Sequence, residues 1–142
     1  MKDKKQTILF VEDEEALLKA VDIGLRNAGY KTILAPDGEQ GLKEATEHKP
    51  DLILLDIKMP KMDGLTMLKK LRNDPAGKDI PVIILTNWSD MDKISKAVEL
   101  HTKYYLVKTD WDVDEIIKKV KEALSNGENT LNKENMERSG YS

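Results

Sequence analysis

The chain has 142 residues, 39% of them apolar, with 23 Lys plus Arg against 26 Asp plus Glu and a net charge of -3. That length encloses one core of ordinary size and leaves little for a second, while the mild acidity argues against nonspecific binding to nucleic acid or to an anionic membrane. Without cysteine there is no disulfide framework, thiolate nucleophile or zinc–thiolate site.

The apolar stretch that follows Lys5-Gln6 is about five residues long, too brief for a signal-peptide core or a membrane span, so the expected location is the cytoplasm. Residues 8–11 form the first of five short apolar runs and read as a strand. Ala16, Leu17, Ala20, Val21, Gly24, Leu25 and Ala28 then recur at helical spacing until Gly29 stops the helix. A second strand is read at 31–35, and Asp37-Gly38 opens a helix carrying Leu42 and Ala45. The run at 52–55 is apolar on both alternating faces, as a parallel strand covered on each side requires. Gly64 precedes a helix with Leu65, Leu68 and Leu71, which Asp74-Pro75 ends. The run at 82–85 is again wholly apolar, and a fourth helix holds Ile94, Ala97 and Val98. After the run at 104–107, Asp112 stands in a capping position with Glu115 three residues on, ahead of Ile116, Ile117, Val120 and Leu124. Residues 126–142 have Leu131, Met136 and Tyr141 as their large apolar residues and no period, so the expected organisation is one domain over 1–125 and a disordered polar tail.

Strands alternating with helices in this way are joined by right-handed crossovers into an open parallel sheet with helices on both faces. The strand order stays open at this level.

In such sheets the functional crevice lies beyond the carboxyl ends of the strands. The first strand ends in Glu12-Asp13, the third in Asp56, the fourth in Thr86 and the fifth in Lys108. Carboxylates gathered there repel by roughly 4 kcal/mol per pair at 4 Å and an effective dielectric near 20, so a cation belongs among them. Oxygen ligands without His or Cys suit Mg²⁺. With the repulsion reduced, one carboxylate can attack phosphorus to form an acyl phosphate, and the Lys108 ammonium and Thr86 hydroxyl can each bond an oxygen of the transferring phosphoryl. Singly, each residue has an ordinary explanation: a strand-end Asp or Thr as a cap, a Lys as a solvated charge. Independent caps would not supply acid, acid, acid, hydroxyl and ammonium at these four strand ends, and the joint pattern favours a site.

The segments Val11-Glu12-Asp13-Glu14, Leu54-Leu55-Asp56-Ile57-Lys58-Met59-Pro60-Lys61-Met62-Asp63-Gly64, Leu85-Thr86 and Tyr105-Leu106-Val107-Lys108 resemble the receiver domain of two-component signalling, over about residues 5–125. The resemblance is to the single-domain chemotaxis-regulator type. It implies a flavodoxin-like three-layer α/β/α fold, with a five-stranded parallel sheet in the order 2-1-3-4-5. It further implies that Asp56 is the phosphoacceptor, and that Asp13, Asp56 and the backbone carbonyl of Lys58 bind Mg²⁺ directly while Glu12 assists through water. Thr86 and Tyr105 would form a switch pair and Lys108 would bond a phosphoryl oxygen. The donor would be a histidine kinase, a phosphotransfer protein or a small acyl phosphate. The output would be a protein partner on the face of the fourth helix, fifth strand and fifth helix, with no direct contact to nucleic acid or membrane. Such a protein is a signalling switch rather than an enzyme, catalysing only its own phosphorylation and dephosphorylation.

Some positions depart from the family pattern. Lys108 is followed by Thr109, where the family usually has Pro in a cis peptide; a cis bond before Thr would cost roughly 2.5 to 4 kcal/mol. His101-Thr102 replaces the common Gly-Ala before the fifth strand, and Asn87 follows Thr86 where a small residue is usual. His101, at the end of a helix, is expected to be a capping or surface residue and not a phosphorelay histidine. Trp88 and Lys58 stand two residues after Thr86 and Asp56, where the family borders the path of hydrolytic water, so they are expected to shield the phosphoryl group; packing over the fourth helix is the other reading of Trp88. Trp111 is either an anchor for a partner or a packing residue. Two further readings compete with the switch. A phosphohydrolase with an Asp nucleophile, like the haloacid dehalogenases, needs a second Asp where Lys58 stands. An adaptor that works without phosphate would not need the complete acidic set.

Overall fold

The computed structural model describes residues 5–59, 61–86, 91–108 and 112–125, with the backbone alone over 91–94. Asn87, Trp88, Thr109, Trp111 and the tail from 126 onward lie outside the described residues, as does Pro60. Five strands, β1 (Thr7–Val11), β2 (Lys31–Ala35), β3 (Leu52–Asp56), β4 (Val82–Thr86) and β5 (Tyr104–Val107), alternate with five helices. These are α1 (Glu15–Asn27), α2 (Gly38–His48), α3 (Gly64–Arg72), α4 (Met91–Glu99) and α5 (Val113–Ser125). All the strand pairings are parallel, and the order β2-β1-β3-β4-β5 is the one the family resemblance implied.

Period-two alternation divides the strand side chains between two cores. Leu9, Val11, Ile53, Leu55, Ile84, Tyr105 and Val107 pack with α2, α3 and α4. Ile8, Phe10, Leu52, Leu54, Ile83, Leu85, Tyr104 and Leu106 pack with Val21 and Leu25 of α1 and Ile116, Ile117 and Val120 of α5. Sandwiching explains why β3 and β4 are buried along their whole length. Among the described residues no helix is long and apolar enough to cross a membrane.

The helix starts are chemically specified. Asp37 accepts from the Gln40 amide at 2.8 Å, and Asp63 accepts from the Thr66 amide at 2.8 Å. Asp112 and Glu115 bond each other's amides reciprocally, both at 2.9 Å, closing the capping box expected from their spacing. At the other end of α1, Gly29 takes φ 99°, a conformation that costs glycine least.

Arg72, in the last turn of α3, is a staple that composition does not reveal. Its guanidinium donates to the carbonyls of Gly77 at 2.9 Å, Ile80 at 2.8 Å, Leu100 at 2.8 Å and His101 at 3.1 Å. Two loops are thereby pinned together beneath β4 and β5. His101 itself is exposed and left-handed at φ 63°, completing the exit from α4 as a capping residue. The next residue, Thr102, buries a hydroxyl that has no partner among the described residues, which carries a desolvation cost. Because a left-handed conformation strains any residue with a Cβ, His101→Gly is expected to stabilise the fold by about 0.5–1 kcal/mol. A rise in the urea midpoint at unchanged slope would register it, and a fall would refute the strain.

Candidate functional site

Register brings the strand-end residues together. Val11 pairs with Leu55, so Glu12 and Asp56, each one residue further on, emerge side by side. Asp56 is opposite Leu85 and Thr86 is opposite Val107, so the hydroxyl and then Lys108 follow along the same rim. Glu12, Asp13 and Asp56 each offer an oxygen within 4.8 Å of the others.

The ammonium of Lys108 reaches into this group, donating to Glu12 Oε2 at 3.1 Å and to Asp56 Oδ2 at 3.3 Å. Glu12 is fully buried and Asp56 is 2% exposed, whereas Asp13 faces solvent. The Glu14 amide also donates to Glu12 Oε2, at 3.0 Å. One ammonium cannot neutralise two buried acids. Burial, reinforced by the Glu12 charge, pushes the Asp56 carboxyl up to about 7 despite the opposing pull of Lys108. Burial likewise raises Glu12, against the Glu14 amide bond and Lys108. For Lys108, burial favours the neutral amine, but the Asp56 and Glu12 carboxylates outweigh it and hold the group above its usual range.

Glu12 Oε1 is buried without a hydrogen-bond partner among the described residues, and leaving a buried carboxylate oxygen bare is costly. Glu12 also offers an oxygen within 4.8 Å of oxygens of two further carboxylates, Asp13 and Asp56. An all-oxygen set of three carboxylates against the single ammonium of Lys108 fits a hard divalent cation.

The other expected residues fall as follows. Thr86 ends β4 fully buried. Tyr105 is 1% exposed and sits opposite Ile84, two residues before Thr86, so alternation puts it on the sheet face that Thr86 shares. Lys58 is exposed in the loop after β3. Trp88 lies outside the described residues. Glu12, expected to assist a metal through water, is the most buried of the acids and accepts from both Lys108 and the Glu14 amide. Sequence reasoning passed over two features. One is the Glu14 carboxylate, 3.9 Å from Lys108 Nζ, for which its adjacency to Glu12-Asp13 was the available signal. The other is Gly64, whose place against the Asp56 backbone leaves no room for a Cβ.

Comparison with known proteins agrees with this architecture. The DNA-binding dual master transcriptional regulator RpaA of Synechocystis sp. is 37% identical over 82% of this chain, and the match takes in 48% of the relative, so this chain spans about half its length. Sporulation initiation phosphotransferase F of Bacillus subtilis is 35% identical over 84% of this chain and 94% of its own. The crystal structure of the receiver domain of a sensor histidine kinase from Pseudomonas aeruginosa PAO1, described with a magnesium ion coordinated in its active-site cleft, superposes with a TM-score of 0.77 at 26% identity, covering 86% of this chain and 99% of that one. The family model for the response regulator receiver domain matches residues 8–121. Sheet order, strand-end chemistry and these matches agree, and the chain belongs to the response regulator receiver domain family of two-component systems.

Proposed function

We propose that this receiver domain, taken as residues 1–125, accepts a phosphoryl group on Asp56 from a phosphohistidine of a histidine kinase or phosphotransfer protein, or from a small acyl phosphate, in a Mg²⁺-dependent reaction. The observation that carries this reading is the buried pair Glu12 and Asp56 sharing the single ammonium of Lys108 beside Asp13. Asp13, Asp56 and the Lys58 backbone carbonyl would hold the metal directly, and Glu12 through water. When bound, the ion supplies positive charge that keeps Asp56 ionised and draws density from the phosphoryl oxygens. The relative from Pseudomonas aeruginosa, described with magnesium in its cleft, supports this assignment by likeness.

A carboxylate oxygen of Asp56 attacks phosphorus, forming a P–O bond as the P–N bond to the donor imidazole, or the P–O bond to the acyl group, breaks. The leaving group departs with the electron pair, and a released imidazole takes its proton from solvent. Lys108, now resting on Asp56 Oδ2, turns to one phosphoryl oxygen, and the Thr86 hydroxyl bonds another. Thr86 and Tyr105 then act as a small two-state element biased by about -1.5 to -2 of added charge. The surface of α4, β5 and α5 presents the result to a protein partner. Trp88 and the Lys58 stem shield the aspartyl phosphate from water. The proposed setting is the cytoplasm.

Incubation with acetyl phosphate and Mg²⁺, followed by intact-mass measurement, tests the chemistry. The wild type is expected to gain one phosphate and Asp56→Asn none. Equal labelling of the two, or an unlabelled wild type, would end this reading.

A further inference from the structure

Glu14 is the member of the acidic rim to which the proposed chemistry gives no work. Its position is defined from two sides. Its amide is bonded to buried Glu12 at 3.0 Å, and its carboxylate Oε1 stands 3.9 Å from the ammonium of Lys108. Glu14 stands in the cap position of α1, where its longer side chain makes no capping bond. The carboxylate therefore faces the crevice mouth, 62% exposed, while Lys108 lies behind it with 17% of its side chain exposed.

Charge then decides what this arrangement does. Glu12, Asp13, Asp56 and Glu14 are four acids against the one ammonium of Lys108. A bound divalent cation would still leave these five groups net negative by one charge, and of the two acids that face solvent, Asp13 and Glu14, Asp13 is the one proposed to hold the ion. A small phosphodonor arriving from solution is an anion, and it must approach past the Glu14 carboxylate to reach Asp56. A phosphohistidine delivered by a protein meets the same field with its charge partly offset by the imidazole and with binding contributed by the donor protein's surface.

We propose that Glu14 is a specificity-determining residue that selects against phosphodonors by their negative charge, holding small dianionic acyl phosphates off Asp56 in favour of phosphoramidate-type donors such as phosphohistidine. The proposal rests on the reading of Asp56 as phosphoacceptor. Its distinguishing property is graded dependence on donor charge, which a merely structural role for Glu14 would not produce.

The test uses the full chain at saturating Mg²⁺, with intact-mass time courses for acetyl phosphate, a dianion, and phosphoramidate, a zwitterion of lower net negative charge. Mg²⁺ binding is measured in parallel by calorimetry. Glu14→Gln is expected to accelerate labelling by about threefold per unit of donor charge, thus about tenfold with acetyl phosphate and about threefold with phosphoramidate. Raising the salt should shrink both gains, and Glu14→Asp should keep the wild-type preference. Equal acceleration by both donors, no acceleration, or a gain wholly explained by tighter Mg²⁺ binding overturns the role of Glu14 while leaving Asp56 standing. A wild type that takes phosphate from neither donor removes the reading of Asp56 and this inference together.

Discussion

Asp56→Asn is expected to stabilise the metal-free protein by about 2–4 kcal/mol at pH 8, although it removes a hydrogen-bonded, ion-paired side chain. Burial is the main cause, with the Glu12 charge added to it, and together they raise the folded-state value from 3.8 to about 7 against the pull of Lys108. A carboxyl raised in the folded state binds more protons there than in the unfolded chain between about pH 4 and pH 7. Stability from this group is accordingly greatest at the acid end of that window and is lost as pH rises through the folded value. Asparagine keeps the shape and never ionises. The difference between variant and wild type should therefore be small near pH 4, grow towards pH 7 and level off above it. Glu12, also raised by burial, will leave a slope of the same sign in the variant. Urea unfolding in chelator at several pH values measures this, and a wild type more stable than Asp56→Asn at pH 8 would contradict it. Added Mg²⁺ should close the gap, because a ligand that binds the folded wild type stabilises it by mass action.

Gly64→Ala is expected to cost about 2–3 kcal/mol and to slow phosphorylation of Asp56 by at least about tenfold. A methyl group built at Gly64 runs into the carbonyl oxygen of Asp56, and it meets Ile57 Cα at 2.9 Å and Asp56 C at 3.0 Å. These are backbone atoms at the end of a buried central strand, so no side-chain rotation relieves the collision. The Gly64 amide meanwhile donates to the Ile57 carbonyl at 2.7 Å, tying the start of α3 to the end of β3. Separating them displaces the residue proposed to attack phosphorus. Helix propensity works the other way, favouring Ala by about 1 kcal/mol in a helix interior, so a net loss would isolate the steric effect. An unchanged urea midpoint together with wild-type labelling by acetyl phosphate would show that the backbone yields freely there.

The two substitutions bear on different levels of what the sequence contains. Runs such as 52–55 and 82–85, apolar on both faces, identify buried parallel strands by themselves, because period and hydrophobicity are local properties. The caps at Asp37 and Asp112 were legible for the same reason: the bonding partner lies within three residues. The polar residues ending four of the five strands were also visible, and the crossover rule places them all at one edge of the sheet. The order of the strands was not local, and it reached the sequence reading only through resemblance to the receiver family.

Only the tertiary structure put β1 beside β3 and made Glu12 and Asp56 neighbours, 44 positions apart in the chain, with the ammonium of Lys108 between them. The same long-range packing buried Glu12, turned Arg72 into a staple across two loops, and pressed Gly64 against the backbone of Asp56. A residue's type and its local spacing state which chemistry it can perform. How strongly a charge is felt depends on the water removed around it and on the partner brought to it, and both are settled by segments distant in sequence.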